Sequence, residues 1–466
     1  MIREARAHPF MPNSAPALKA ELLAELGLDS AEPLFGQIPE AHRLRTELHQ
    51  PPTLSSEVAL SRHLRGLLSR NRPATRELSF LGGGCWQHHV PAVVDEIVGR
   101  AEFMTPVWGT PSSDLGRNQA WWEFTSQLGA LLELELVGLP VYSWGCAAGH
   151  ALRMAARLNG RRRVLVPARM CPDRSAVVAS YCASADPASE IEVQPIACDA
   201  AGRLDLDALA AAADAGVAAI YFENPAYLGG VDTGAHEVVA IAHRVGAEAI
   251  VGVDPISLGV IAPPGAFGAD IAVGTIQPLG IHMAAGGGLG GFIASRDEPR
   301  YAAEYPTLLN SIAETVDGRT SFGLMLFHQS SYGSRELGKD WTGNSTYLWA
   351  IGASVYMALL GPRGFEEVGA LIAARTRIAA DRLARVPGVH VPTREGLFKE
   401  VVVDVSPSGR SVAEVNAALR ERGIYGGIDL SRAFPELGQA MLSCVTEVHE
   451  PEDIECFAAA LEEVLA

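Results

Sequence analysis

The sequence predicts an α/β protein with a mostly parallel sheet and helices on both of its faces. Three observations carry this. Short apolar runs bounded by turn residues recur at Arg163–Pro167, Glu192–Ile196, Ala218–Asn224, Glu248–Asp254, Asp270–Gly274 and Gly291–Ala294. Helical segments such as Ala235–Val245 fall between them, and strands spaced by helices run parallel. Two of the strands end on a polar residue followed by proline, Asn224-Pro225 and Asp254-Pro255. In such sheets ligands sit at the carboxyl ends of the strands, so this repeated placement points to a site.

Length and composition fit that class. A chain of 466 residues suits one large domain with smaller additions, and 48% hydrophobic residues can bury a sizeable core. The net charge of −17 argues against nucleic acid or an anionic membrane as partner. The seven cysteines form no Cys-x-x-Cys pair. Their odd number and scatter suit reduced thiols and a cytoplasmic location, with no metal site expected. Only three residues are lysine, Lys19, Lys339 and Lys399, so any chemistry that needs a lysine amine has few candidates.

Residues 1–75 read as an N-terminal helical arm with helices at Ala17–Leu28 and Ser56–Ser69. Residues 78–118 read as irregular, with Gly82, Gly83 and Gly84 followed by Trp86, His88 and His89. A loop of this kind suits an active-site wall or a subunit contact. A helix over Trp121–Leu136 leads to YSWGCAAGHALRMAARL. There Ser143 and Gly145 open a helix whose free N–H groups suit an anion. Residues 311–346 read as polar and irregular. Helices over Ala350–Leu360 and Phe365–Leu383 flank Gly361-Pro362. The tail reads as a small α/β unit: strand Phe398–Val405, helix Val412–Arg422, strand Ala440–Val445 and helix Asp453–Leu465.

The stretch Val251–Phe292 ties these pieces together. An acid ends one buried strand, a second strand follows, and then come Gly286, Gly287, Gly288, Gly290 and Gly291. This resembles the centre of pyridoxal-phosphate (PLP) enzymes of the aspartate-aminotransferase fold. There an acid holds the pyridinium nitrogen and a lysine after the next strand forms the Schiff base. Here that position reads Gln277-Pro278, and proline has no amine with which to form an imine.

Collinear blocks extend the resemblance over nearly the whole chain. They include HPFMPNS, LFGQIPEAHRL, SFLGGGCWQHHVPAVV, ENPAYLGG, VDPISLGVIAPPGAFGADI, AETVDGRTSF, VYMALLGPRGF, EVNAALRERGIYGGIDLSRAFPELGQAML and CVTE. The chain is thereby similar to subunit 1, the α half, of two-subunit glycine decarboxylase, the P-protein of the glycine cleavage system. The resemblance implies the PLP-dependent transferase fold type I. It divides the chain into the arm 1–75, a large α/β domain 76–325, and a helical connection with a small C-terminal α/β domain 326–466. It implies a β-like partner that carries the lysine and the PLP, an oligomer of such pairs, a small amino-acid substrate and a lipoyl carrier protein. Ser143, Gly145, Asn224, Asp254 and Gln277 become candidates for cofactor contacts. His88, His89, Trp108, Arg117, Arg335 and Lys339 become candidates for the substrate or interface wall.

Departures from the family pattern cluster near the expected pocket. The family's Tyr-Thr-Pro-Tyr-Gln-Pro-Glu loop is replaced within TPVWGTPSSDLGRNQAWW. Its Tyr-Asp-Gly at the helix start is Gly145-Cys146-Ala147, its Gly-Glu-Gly before Gln277 is Gly274-Thr275-Ile276, and a lysine-bearing stretch reads LGKDWTGN. Two alternatives to a glycine-decarboxylating subunit therefore stand. One is a repurposed enzyme for another amino acid or amine, with Trp108, Trp121, Trp122 and Thr275 reshaping the site. The other is a non-catalytic scaffold that stabilises its partner.

Overall fold

A computed structural model describes residues 7–8, 10–44, 46, 49–52, 54, 56–104, 111–284, 289–325, 334 and 346–466, with backbone only for 111–115. It divides into two compact units, Met1–Arg72 and Pro73–Ala466. In the first unit, α1 (Pro16–Glu25) and α2 (Glu57–Leu68) bury no residue. The Ser56 hydroxyl caps α2 by accepting from Ala59 N–H.

The second unit is built on a seven-stranded sheet. After the short β1 (Leu78–Ser79) come β2 (Leu136–Val137), β3 (Arg163–Pro167), β4 (Glu192–Ile196), β5 (Val217–Glu223), β6 (Glu248–Val253), β7 (Ile271–Thr275) and β8 (Gly291–Ser295). Their order is β2-β8-β7-β6-β5-β3-β4. The strands β3 to β7 pair in parallel, while β8 runs antiparallel between β7 and the edge strand β2. The boundaries lie within about a residue of those read from the sequence, since uninterrupted apolar runs buried on both faces leave little choice.

Alternate side chains of each strand feed different cores. Leu165, Ile220, Val251, Ala272 and Phe292 join one apolar cluster. Val164, Val166, Tyr221, Ile250, Val273 and Ile293 join another. This is the period-2 alternation of a sheet covered on both sides. The helices α3 (Ala92–Val98), α4 (Pro111–Leu132), α5 (Trp144–Asn159), α6 (Pro172–Cys182), α7 (Leu206–Ala212) and α8 (Ala235–Arg244) supply the cover, α5 lying across β5 to β8.

Three expectations need correction. Residues 78–118 are not wholly irregular, because α3 and the start of α4 lie there. The helix expected over Trp121–Leu136 begins at Pro111 and ends at Leu132, and Leu136–Val137 instead pairs with β8. Within 311–346, β9 (Leu309–Glu314) and β10 (Thr320–Met325) form an antiparallel hairpin; short, half-exposed strands of mixed composition lack the apolar signal that marks buried ones.

After the short α9 (Pro299–Ala302), α10 spans Tyr347–Leu383 and is broken at Gly361, where φ is +57° before Pro362. Beyond it, β11 (Glu400–Asp404), β13 (Ile428–Asp429) and β14 (Ala440–Cys444) form a small antiparallel sheet. The helices α11 (Val412–Glu421) and α12 (Pro451–Leu465) cover it. A short β12 (Ile424–Tyr425) pairs in parallel with β1. That pairing brings the Gly82–Trp86 loop against the C-terminal sheet, over the carboxyl ends of β5 and β6.

Candidate functional site

The carboxyl ends of β5 and β6 lie side by side, with Glu223 opposite Gly252 in register. Each strand then delivers an acid to the space beyond the sheet. Glu223 ends β5 and meets Arg174 of α6 in a bidentate pair, with Nε–Oε1 and Nη2–Oε2 both at 2.9 Å. Tyr221 O–H also donates to Glu223 at 2.8 Å. The Arg174 guanidinium stacks over Trp144 at 4.1 Å. Burial pulls the guanidinium down, but the Glu223 carboxylate outweighs it and holds Arg174 above its ordinary range. This is a fixed cation on one wall.

Asp254 follows β6. Its Oδ1 accepts from Ile256 N–H at 3.1 Å and so starts the turn after the strand. Its Oδ2 is engaged by the ammonium of Lys399 in an ion pair. Lys399 is only 1% exposed. Its Nζ lies 3.9 Å from the centre of the Trp86 ring and 3.0 Å from His88 Nε2. His88 Nδ1 in turn stands 2.7 Å from Glu447 Oε2, and Glu447 Oε1 accepts from His89 N–H at 2.8 Å. The result is a buried series Glu447–His88–Lys399–Asp254.

Proton positions along this series follow from its chemistry. An ammonium can only donate, so His88 Nε2 accepts from Lys399 and Nδ1–H donates to Glu447. Burial and the neighbouring Lys399 charge lower His88 and keep it neutral. Burial opposes ionisation of Glu447, but the His88 ring that donates to it and the backbone N–H groups of His89 and of Glu447 itself outweigh it and hold Glu447 below its ordinary range.

Lys399 also carries φ of +68°, a region a lysine rarely adopts and which costs roughly 1–3 kcal/mol. The strand expected from Phe398 therefore starts only at Glu400. This backbone turn sends Lys399 and Glu400 both toward the site. Glu400 Oε1 accepts from Gly83 N–H and Trp86 Nε1, each at 2.6 Å. Its Oε2 has no hydrogen-bond partner among the described residues, and burial pushes this carboxyl up.

Two connected spaces result. An outer chamber of about 400 Å³ is lined by the Gly82–Gly84 backbone, Ser143, Gly145, Arg174, Tyr227 and Thr275. The inner space beside Asp254 and Lys399 is only about 20 Å³, room for roughly one water. Gly83, Gly84, Trp144, Arg174 and Tyr227 line both. A Cβ on Gly83 would meet Ile428 Cδ1 at 2.6 Å, and φ there is +78°, so glycine closes the loop over the chamber without the strain another residue would carry.

The residues proposed from the sequence divide clearly. Ser143 caps α5 by accepting from Cys146 N–H at 3.2 Å, and it lines the outer chamber with Gly145. Asp254 faces the inner space. Asn224 and Gln277 do not present their amides there. Asn224 exchanges two hydrogen bonds with the Asp232 backbone. Gln277 accepts from Trp86 N–H and donates to the carbonyls of Trp86 and Ile281. Both are clamps that hold loops.

His88 is a buried member of the Asp254 series rather than a wall residue. Exposed His89 contributes its backbone N–H. Arg117 is buried against the Trp121 ring and lines neither space. Trp121 donates to the Tyr347 carbonyl and Trp122 packs on Phe322, so neither shapes the chamber, whereas Thr275 does. Trp108, Arg335, Lys339 and the glycines Gly286, Gly287 and Gly288 lie outside the described residues.

The sequence reading did not assign Lys399, Glu400, Glu447, Arg174, Glu223 or Trp144 to the site. One signal was available: the adjacent charges Lys399-Glu400 interrupt an otherwise apolar run, and paired burial is the usual reason for that.

PLP does not fit this chain as these residues are arranged. The acid that would take its ring nitrogen already holds Lys399, the space beside it admits about one water, and buried Pro278 stands at the imine position.

Comparison with known proteins places this geometry in context. The family model "Glycine cleavage system P-protein" matches residues 10–461. The protein named "Probable glycine dehydrogenase (decarboxylating) subunit 1" from Staphylothermus marinus is 32% identical over 470 residues, covering 98% of both chains. The protein of the same name from Anaeromyxobacter dehalogenans is 34% identical over 461 residues, covering 98% of this chain and 99% of its own. Among solved structures, glycine decarboxylase (P-protein) of the glycine cleavage system in inhibitor-bound form matches with a TM-score of 0.86 at 31% identity. That match covers 98% of this chain and 100% of the other. A sphingosine-1-phosphate lyase from Burkholderia pseudomallei matches at TM-score 0.64 and 16% identity, over 92% of this chain and 94% of its own, which shows the shared fold.

Proposed function

The chain belongs to the glycine cleavage system P-protein family, and from that premise we propose that it is the α chain of a two-chain glycine decarboxylase, the chain that lacks the Schiff-base lysine. It is an α-subunit-like component of a glycine dehydrogenase (decarboxylating) complex. In this reading a β-like homologue supplies the Schiff-base lysine and holds the PLP, whose electron-withdrawing ring carries the decarboxylation. A lipoyl carrier protein accepts the aminomethyl group, and the complex works in the cytoplasm. Among the described residues no helix is long and apolar enough to cross a membrane.

One observation carries the division of labour. The acid that a cofactor ring would need on this chain is already neutralised by Lys399, and the position just after β7 holds Pro278 rather than a lysine. A P-protein chain built this way supports its reaction through a partner.

The test is glycine–CO2 exchange and visible absorbance of the purified chain, alone and with its lysine-bearing homologue. Colour and exchange are expected only in the mixture. Colour and exchange from this chain alone would refute the reading.

A further inference from the structure

We infer that Lys399 is an internal replacement for the ring cation of a cofactor: its ammonium completes the Asp254 site that a pyridinium nitrogen would otherwise fill. The inference goes beyond the subunit reading by naming the residue that closes this chain's own site. It rests on that reading only in treating Asp254 as the acid for a ring nitrogen.

Four observations converge on it. Asp254 stands at the carboxyl end of a central parallel strand, the usual ligand position in such sheets. Its outward oxygen is paired with Lys399. The ammonium lies against the face of Trp86 at 3.9 Å, as a flat cationic ring would lie against an aromatic wall. Finally, Lys399 accepts a left-handed backbone to reach this place, with φ of +68°. A lysine on a regular strand would have no reason to bear that strain.

The supporting contacts are built for a permanent occupant. His88 Nε2 takes one ammonium proton at 3.0 Å, and Glu447 fixes the His88 ring from its other nitrogen at 2.7 Å. Thr376 Oγ1 accepts from Lys399 N–H at 3.1 Å, and Lys399 C=O accepts from Val445 N–H at 2.8 Å. Side chain and backbone are therefore both tied. A buried carboxylate without its cation is strongly unfavourable, so the lysine lets this chain fold complete without any cofactor.

The experiment uses the full chain and pyridoxamine 5′-phosphate. This probe has the ring nitrogen and phosphate of PLP but no aldehyde, so it reports the site independently of imine chemistry. Binding is read by quenching of tryptophan emission, to which Trp86 and Trp144 contribute, and by equilibrium dialysis. Wild type should show no saturable binding. Lys399→Ala should bind the probe about tenfold or more tightly than wild type, and Lys399→Ala with Asp254→Asn should lose that gain.

Stability gives a second readout. Lys399→Met should lower Tm by about 3–5 °C, and Lys399→Met with Asp254→Asn should recover most of it, because the neutral pair leaves no bare charge. If Lys399→Ala does not fold by itself, the probe added during refolding should rescue it.

Saturable probe binding by wild type that Asp254→Asn abolishes would overturn the inference. So would a folded Lys399 variant that gains no binding, a double variant no more stable than Lys399→Met, or, in a separate incubation of wild type with PLP itself, a pyridoxyl group trapped on Lys399 by borohydride. The subunit reading stands or falls separately, on exchange activity with the partner.

Discussion

Replacing Glu447 by Gln removes the charge at the far end of the buried series while keeping the side chain's shape. Glu447 accepts from His88 Nδ1–H with one oxygen and from His89 N–H with the other; Gln keeps one of these acceptors and turns an NH2 donor toward the other N–H, so one hydrogen bond is lost with the charge. The folded protein holds Glu447 below the ordinary 4.5. Hydrogen bonds to a charged group are worth about 1.5–3 kcal/mol, so the ionised carboxylate contributes on the order of 2 kcal/mol. The side chain is 12% exposed, so solvent screens this little.

The sign follows from the depressed value. The contribution is fully present above about pH 4.5 and is lost as pH falls below it through the depressed folded value. Neutral His88, also lowered, loses stability in the same direction starting nearer pH 6.5, and more so in the variant, because Glu447 partly offsets that lowering. Urea unfolding of wild type and Glu447→Gln at pH 7, 5.5, 4 and 3.5 is the assay. The gap between the two should hold or widen slightly down to about pH 5. Below that it should shrink, with a slope approaching about 1.4 kcal/mol per pH unit. A gap unchanged between pH 7 and 3.5 would show that Glu447 carries no special charge interaction and would refute the proton assignment along the series.

Two further predictions concern the walls of the outer chamber. Arg174→Met leaves Glu223 bare in the interior and should cost about 3–5 kcal/mol, whereas Arg174→Met with Glu223→Gln should recover much of it; thermal unfolding of the double-mutant cycle decides, and additive losses would contradict the buried pair. Ser143→Ala removes the cap on α5 and should cost about 1 kcal/mol, measured by urea midpoint, with no change expected if the Cys146 N–H already finds another acceptor.

Much of the site's frame was legible in the sequence because it is local. An acid after a buried strand, a serine opening a helix and a glycine triplet are each defined by neighbours a few residues away, and Asp254, Ser143 and Gly83 stand where such patterns put them. Side-chain direction was not legible in the same way. Asn224 and Gln277 read equally well as cofactor ligands or loop clamps, since an amide serves both and only the three-dimensional neighbours choose. Arg117 sits beneath Trp121 because α4 begins ten residues earlier than its apolar pattern shows, at Pro111.

By itself the sequence determined the parallel α/β scaffold, the family and the absence of an imine-forming lysine after β7. Each of these rests on periodicity, collinear blocks or the identity of one residue. Tertiary structure alone decided that Lys399 occupies the Asp254 site, with His88, Glu447 and Glu400 arranged around it. The physical reason is that the C-terminal sheet folds back over β6 and that one residue leaves the strand conformation. A single left-handed φ at Lys399 redirects a side chain that a regular strand would have sent elsewhere, and a contact between residues this far apart leaves no periodic trace in the chain.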